Sequence, residues 1–90
     1  GYWHFSDLSN GGCYLAPSHV RYHLIHADNF FDATVSGDAA GIIVSLYTFS
    51  HLSFLLEDDP RGPRIAQYFH LLRDFAGEHP EAGLIFRAID

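Results

Sequence analysis

The stretch SGDAAGIIVSLYTFSHLSFLLE, Ser36 to Glu57, decides the fold because the chain changes there from strand-like to helix-like sequence. Ser36 suits the N-cap of a helix, and Asp38 would lie in the first turn, where the helix dipole favours an anion. The residues that follow are apolar on almost every side, which predicts a helix buried on more than one side. Small or hydroxyl-bearing residues recur in it at helical spacing and would let a neighbouring element approach closely: Gly41, Ser45 and Thr48.

The same apolar run has the minimum length of a membrane span. Residues 39–56 number eighteen, which is the lower limit for crossing a bilayer. His51 and several hydroxyl groups interrupt the run, and no basic flank follows it. The sequence therefore favours a buried core helix and predicts no membrane partner.

Four strands are predicted before this helix, at residues 2–8, 13–17, 19–26 and 30–36. Alternation along the first strand assigns Trp3 to the inward face and Tyr2 to the outward face. Phe5 shares the face of Trp3, and Phe31, Ala33 and Val35 are assigned to the inward face of the fourth strand. Val20, Tyr22 and Leu24 share one face of the third strand. Short connections between successive strands predict an antiparallel meander.

Two of these connections carry turn signals. Asn10-Gly11 predicts a two-residue type I′ hairpin turn, because both residues tolerate positive φ. Ala27-Asp28-Asn29 predicts a second turn between the third and fourth strands.

Two more helices are predicted after Glu57. Pro63 suits the first position of a helix at 64–77, and Gly77 is a natural stop. A short last helix is expected at 81–88. The fold class is therefore α+β: a four-stranded antiparallel meander followed by three helices packed on one face, in a single domain over residues 1–90.

Composition restricts the cellular setting. A 90-residue chain with one cysteine, Cys13, cannot form an internal disulfide, which fits a reducing cytoplasm. The chain contains no methionine, even at position 1, so we expect it to lack a natural N-terminal segment.

Charge argues against direct recognition of nucleic acid. The net charge is −6, and the five basic residues are all arginine, which is a poor composition for following a phosphate backbone. Eleven acidic residues, partly offset by five arginines, also fall short of the charge density of DNA, at about one charge per ~1.7 Å of axis. We therefore expect neither DNA binding nor DNA mimicry.

The sequence carries no strong signal for a catalytic, cofactor or metal site. Cys13 is predicted to lie in a strand beside a hairpin, whereas a thiolate is favoured at a helix N-terminus. Seven histidines are present, but no pair of Cys or His residues has zinc-ligand spacing. We expect no cofactor and no metal, and a small enzyme using Cys13 or a carboxylate–histidine pair remains an alternative.

Charged residues form two clusters that are candidates for contact with a protein partner, although solvated surface is their simplest interpretation. The first cluster lies at the loop between the first two predicted helices and consists of Asp58, Asp59, Arg61 and Arg64. The second consists of Asp74, Glu78 and Glu81. Tyr2 is a further candidate, because aromatic residues are enriched at interfaces.

Three segments carry a resemblance to a known family: GYWHFSDLSNGG and YLAP on either side of Cys13, then SGDAAGIIVSLYTFSHLSF, then HPEAGLIFRAID. Together they resemble the KlcA/ArdB family of antirestriction proteins, small proteins of plasmids and other mobile elements whose members are longer at the N-terminus. The chain departs from the family pattern at Cys13, where an aromatic residue is usual, and in the histidine-rich segment HVRYHLIHADNF.

The resemblance implies a non-enzymatic protein that relieves type I restriction-modification of incoming plasmid or phage DNA. It implies a protein partner, either the restriction complex or a host factor that acts on foreign DNA. An interaction module in plasmid maintenance, unrelated to restriction, is a third alternative.

Overall fold

The computed structural model describes residues 3–17, 21–26 and 31–89. Its elements in chain order are β1 (Trp3–Asp7), β2 (Cys13–Pro17), β3 (Arg21–His26), β4 (Phe31–Ser36), α1 (Gly37–Leu55), α2 (Gly62–Ala76) and α3 (Ala82–Ile89). The predicted α+β class, with four antiparallel strands followed by three helices, is confirmed. The predicted Ala27-Asp28-Asn29 turn and the assignments of Tyr2 and Val20 lie outside the described residues.

The described strands form two two-stranded sheets rather than one continuous four-stranded sheet. In the first sheet β1 pairs with β2, and Phe5 lies opposite Leu15. In the second sheet β3 pairs with β4, and Leu24 lies opposite Ala33. Helix α1 packs against strands of both sheets, so the two hairpins share one core without sharing a ladder.

Helix α1 separates the sheets because it occupies the outer edge of β2. The backbone N–H of Leu15 donates to Ser45 Oγ at 3.1 Å, and this hydroxyl lies 3.4 Å from the Leu15 carbonyl oxygen. One turn earlier, a Cβ on Gly41 would come within 2.3 Å of the same carbonyl oxygen. The close approach predicted from the small residues of α1 therefore exists, and it closes the edge on which another strand would pair.

The two sheets differ in how well alternation predicts their buried face. Phe31 and Val35 of β4 are buried as predicted. In the first sheet the prediction is wrong, because Trp3 and Phe5 are 55% and 64% exposed while Tyr14 of β2 is buried. The face that bears Tyr14 also bears the small Ala16, which admits the backbone of α1, whereas the large rings of the other face would hold the helix away.

Burial along α1 is uneven. Most of its first ten residues, from Gly37 to Leu46, are buried and form the centre of the core with Val35, Leu72 and Ile85. Near its end Phe54 and Leu55 are 74% and 62% exposed, so the predicted burial of this helix on more than one side does not extend to its last turn. The helix is long and apolar enough to cross a membrane by length and composition, a test that the core helices of soluble proteins also pass.

The three residues predicted to mark helix ends do so, although the helix bounds differ from the predicted ones by one or two residues. Ser36 caps α1 by accepting the Ala39 N–H at 3.0 Å. Pro63 lies in the first turn of α2, and Gly77 follows that helix as its C-cap.

The first hairpin loop is one residue longer than predicted. Gly11 N–H donates to the Leu8 carbonyl at 3.1 Å, so the chain turns across Ser9 and Asn10. Gly11 follows with φ of +92°, as in three-residue loops that end on a glycine. The Asn10 side chain then accepts from Gly12 N–H and donates to the Leu71 carbonyl, which ties this loop to α2.

Candidate interaction surface

A polar network joins the N-terminus of α1 to β2 and to the turn between α2 and α3. The Asp38 carboxylate accepts from the Tyr14 hydroxyl at 2.5 Å and from His79 Nε2 at 2.8 Å. Burial, followed by the hydrogen bond to Asp38 and the charge of its carboxylate, raises the pKa of Tyr14 to about 12. Tyr14 therefore stays a neutral donor across the physiological pH range.

His79 uses both of its ring nitrogens in this network. Its Nδ1 accepts the backbone N–H of Glu81 at 3.0 Å, which assigns the proton of the neutral ring to Nε2, the atom that donates to Asp38. Only 9% of the His79 side chain is exposed. The structure thus contains a carboxylate–histidine pair, but neither ring nitrogen is available to take a proton from a substrate.

Glu81 completes the network from the other side. Its carboxylate accepts from the backbone N–H of Ser36 at 3.0 Å and also from the Ser36 hydroxyl. Burial opposes the charge of Glu81, but these two bonds, aided by His79 and Arg21, hold its pKa below the usual range. Glu81 is therefore hydrogen-bonded within the fold and stabilises the start of α1, whereas Asp74 and Glu78 are exposed.

Cys13 lies in an environment that disfavours a thiolate. The side chain is half-buried beside Asp7, its partner across the β1–β2 ladder. Burial and then the Asp7 charge raise the pKa of the thiol. An activated nucleophile requires the opposite shift.

His23 contacts Asp32 across the β3–β4 pair, where both side chains are exposed. Across residues 3–17, 21–26 and 31–89, no three Cys, His, Asp or Glu side chains are grouped so that they could hold a metal ion.

The loop between α1 and α2 carries the first predicted charge cluster, and two of its members, Asp59 and Arg61, form an ion pair. Arg61 donates from Nε and Nη2 to the two carboxylate oxygens of Asp59, each at 3.0 Å. These bonds lower the pKa of Asp59 to about 2. Asp58 is exposed in the same loop, and Arg64 is exposed in the first turn of α2.

Two exposed carboxylates remain from the second predicted cluster. Asp74 and Glu78 line a polar groove of about 290 Å³ together with Ser9 and Asn10 of the first hairpin loop. The structure thus brings the end of α2 beside the hairpin, a proximity that their separation in the sequence does not reveal.

An apolar groove, which we call the sheet–helix groove, lies between the outer face of the first sheet and α1. Its volume is about 450 Å³, and its lining is Trp3, Phe5, Cys13, Leu15, Val44, Ser45, Thr48 and Phe49. Val44 also lines a second apolar groove of about 170 Å³ with Ile25 and Tyr47, so the apolar surface continues across α1 to the second sheet. Sequence alternation missed this surface because it assigned Trp3 and Phe5 to the core.

A model of a known family matches the whole chain. The family is described as antirestriction protein, and the match covers residues 1–90.

Individual relatives agree with that family match. The chain is 43% identical over 91 residues to one antirestriction protein KlcA of Escherichia coli, covering 100% of this chain and 62% of the relative. It is 41% identical to a second KlcA of Escherichia coli, covering 99% of this chain and 63% of the relative. The chain therefore spans about three fifths of the length of these relatives.

A solved structure shares the fold. It is described as a KlcA and ArdB structure with a novel fold, from proteins with antirestriction activity against type I DNA restriction systems in vivo but not in vitro. The TM-score is 0.91 at 40% identity, over 99% of this chain and 63% of that one. By family model, sequence identity and fold, this chain belongs to the antirestriction protein family.

Proposed function

We propose that this protein relieves type I restriction of incoming plasmid or phage DNA in the cytoplasm by contacting a protein, without catalysis and without binding DNA. Membership of the antirestriction family carries the proposal. The activity described for the similar KlcA and ArdB proteins names the type I systems.

The basic residues give little support to DNA binding. Arg61 is paired with Asp59, and the guanidinium carbons of Arg73 and Arg87 lie 5.5 and 5.9 Å from the centres of aromatic rings. A DNA-binding surface needs cations grouped along one face. With a net charge of −6, a protein partner fits this chain better than a phosphate backbone does.

The acidic residues give little support to DNA mimicry. Asp38 and Glu81 accept hydrogen bonds inside the protein, Asp59 is matched by Arg61, and Asp32 contacts His23. A mimic would need its carboxylates free and regularly spaced along the surface.

Contact with a cellular factor is consistent with the behaviour of the relatives. The KlcA and ArdB proteins act in vivo but not in vitro, which is expected if their action requires a component that a purified assay lacks. The partner is then either the restriction complex in its cellular state or a host factor that acts on foreign DNA. The exposed charges proposed to contribute to the contact are Asp58, Arg61, Arg64, Asp74 and Glu78, together with the half-buried Asp59.

Phage plating tests the proposal directly. Unmodified phage is plated on a host with an active type I system, with and without the expressed protein. We expect plating to rise by at least tenfold with the protein and to stay unchanged on a host that lacks the restriction system. Unchanged plating on the restricting host, with the protein shown to be expressed and folded, would refute the proposal.

A further inference from the structure

We propose that the partner binds at the outer edge of β1, where an extended segment of the partner adds as a third strand to the first sheet. This inference rests on the proposed function, because it names the site through which that function operates. One edge of this sheet is closed by α1. The other edge bears two exposed aromatic rings, Trp3 and Phe5, and none of the described residues covers it.

The hydrogen-bond pattern assigns the backbone groups of β1 to its two edges. Leu8 N–H donates to the Gly12 carbonyl at 2.8 Å, so Leu8 faces β2. Opposite Phe5, the N–H of Leu15 points away from β1 and donates to Ser45. In an antiparallel ladder paired residues alternate between bonding inward and pointing outward. The N–H and C=O groups of Phe5, and likewise of Asp7, therefore point to the outer edge.

That outer edge is unoccupied by any of the described residues. The sheet consists of β1 and β2 alone, and no described strand pairs with the other side of β1. Phe5 has no backbone partner among residues 3–17, 21–26 and 31–89. Unpaired backbone groups in a row are a template for another strand.

The sequence of β1 lacks the features that usually block such pairing. Edge strands are commonly protected by lysine, proline, a bulge or a covering element. The strand reads WHFSD, with no lysine or proline and a single charge at its end, and its five-residue pairing with β2 is uninterrupted. It is instead exposed along most of its length.

The side chains define the chemistry of the segment that would bind. Trp3 and Phe5 point to the same face as Leu15, and all three line the sheet–helix groove. Among the described residues that line the groove, none is charged. The added strand would place every second side chain beside Trp3 and Phe5, so the partner is a protein with an extended segment that is apolar at alternate positions.

Two substitutions of Phe5 test the edge. Phe5→Pro removes the outward N–H without removing a bond to β2, and Phe5→Lys places a charge on the exposed face while keeping the N–H. Phe5→Val is the matched control, since it retains both the N–H and a residue suited to strands. We expect Phe5→Pro and Phe5→Lys each to reduce the phage plating conferred by the protein at least tenfold, and Phe5→Val to reduce it less than threefold.

Amide exchange of the purified protein tests whether the edge is open, independently of any variant. We expect the Phe5 amide to exchange at least tenfold faster than the Ser6 amide, which faces β2. Equal protection of the two amides would mean that the edge is already covered and would overturn the inference.

The remaining outcomes separate this inference from the proposed function. Full plating by folded Phe5→Pro and Phe5→Lys would overturn the edge site and leave the antirestriction function standing. An inactive wild-type protein would overturn both. A wild-type dimer that Phe5→Lys converts to a monomer would show that a second copy occupies the edge, which also overturns binding of a different partner there.

Discussion

Gly41 of α1 lies directly against Ala16 of β2: a Cβ built on Gly41 would come within 2.4 Å of Ala16 Cα. Both backbones are fixed by secondary structure, so neither can yield without moving the helix off the strand.

We therefore expect Gly41→Ala to lower the free energy of unfolding by about 3 kcal/mol, even though alanine is the better helix former. Gly83→Ala is the control, because a Cβ on Gly83 meets nothing within 4 Å. Urea denaturation should show Gly83→Ala unchanged or stabilised by up to about 1 kcal/mol. Equal stability of the two variants would contradict the close packing of α1 on β2.

Ser45→Ala tests the closed edge of β2. The substitution removes the hydroxyl that accepts the half-buried Leu15 N–H, so we expect the free energy of unfolding to fall by about 1–2 kcal/mol. Ser50→Ala, on the exposed part of the same helix, should change stability by less than about 0.5 kcal/mol. Chemical denaturation of both variants gives the comparison.

Glu81 makes the free energy of unfolding depend on pH in the acidic range. Its pKa is lowered in the folded protein, so it contributes stability above its ordinary pKa, and this contribution is lost as the pH falls through the lowered value. We expect the stability difference between wild type and Glu81→Gln to be largest at neutral pH and to shrink toward pH 3. A pH series of denaturation curves measures it, with Glu78→Gln as an exposed control.

Tyr14 makes the free energy of unfolding depend on pH in the alkaline range. Its pKa is raised from 10 to about 12 on folding, so the neutral phenol contributes stability that is complete below pH 10 and is lost between about pH 10 and 12. Tyr14→Phe should be less stable than wild type at pH 8, and the two should converge as the pH approaches 12. Parallel curves over that range would rule out a titrating Tyr14–Asp38 bond.

The thiol of Cys13 should react slowly. Because burial and Asp7 raise its pKa, we expect iodoacetamide at pH 8 to alkylate it at least threefold more slowly than free N-acetylcysteine amide. Asp7→Asn removes one of the two causes and should speed the reaction. A native thiol that reacts faster than the free compound would restore the nucleophile hypothesis.

Local signals made the helices predictable. Ser36, Pro63 and Gly77 act within one turn of their own positions, and the structure uses each of them at a helix end. The inward face of β4 was likewise predictable from alternation, because Phe31 and Val35 are its largest apolar residues.

Features that depend on contacts between distant residues were not predictable. Alternation reveals that β1 has two faces but not which one meets the helix, and the choice was made by the fit of Gly41 to Ala16. The Asp38–His79 bond joins residues 41 positions apart, with no spacing rule to indicate it. The sheet–helix groove was missed for the same reason, since its exposure follows from the face that α1 covers.

The position of α1 between the two hairpins also has a consequence for the order of folding. An isolated two-stranded hairpin is marginally stable in water, so neither sheet can persist before the helix arrives. Each hairpin pairs residues that are near in sequence, whereas the contact of Ser45 with Leu15 spans 30 residues and is the slower event to form. We expect both hairpins to become stable in the same step, when α1 docks, and the described domain to unfold in a single transition.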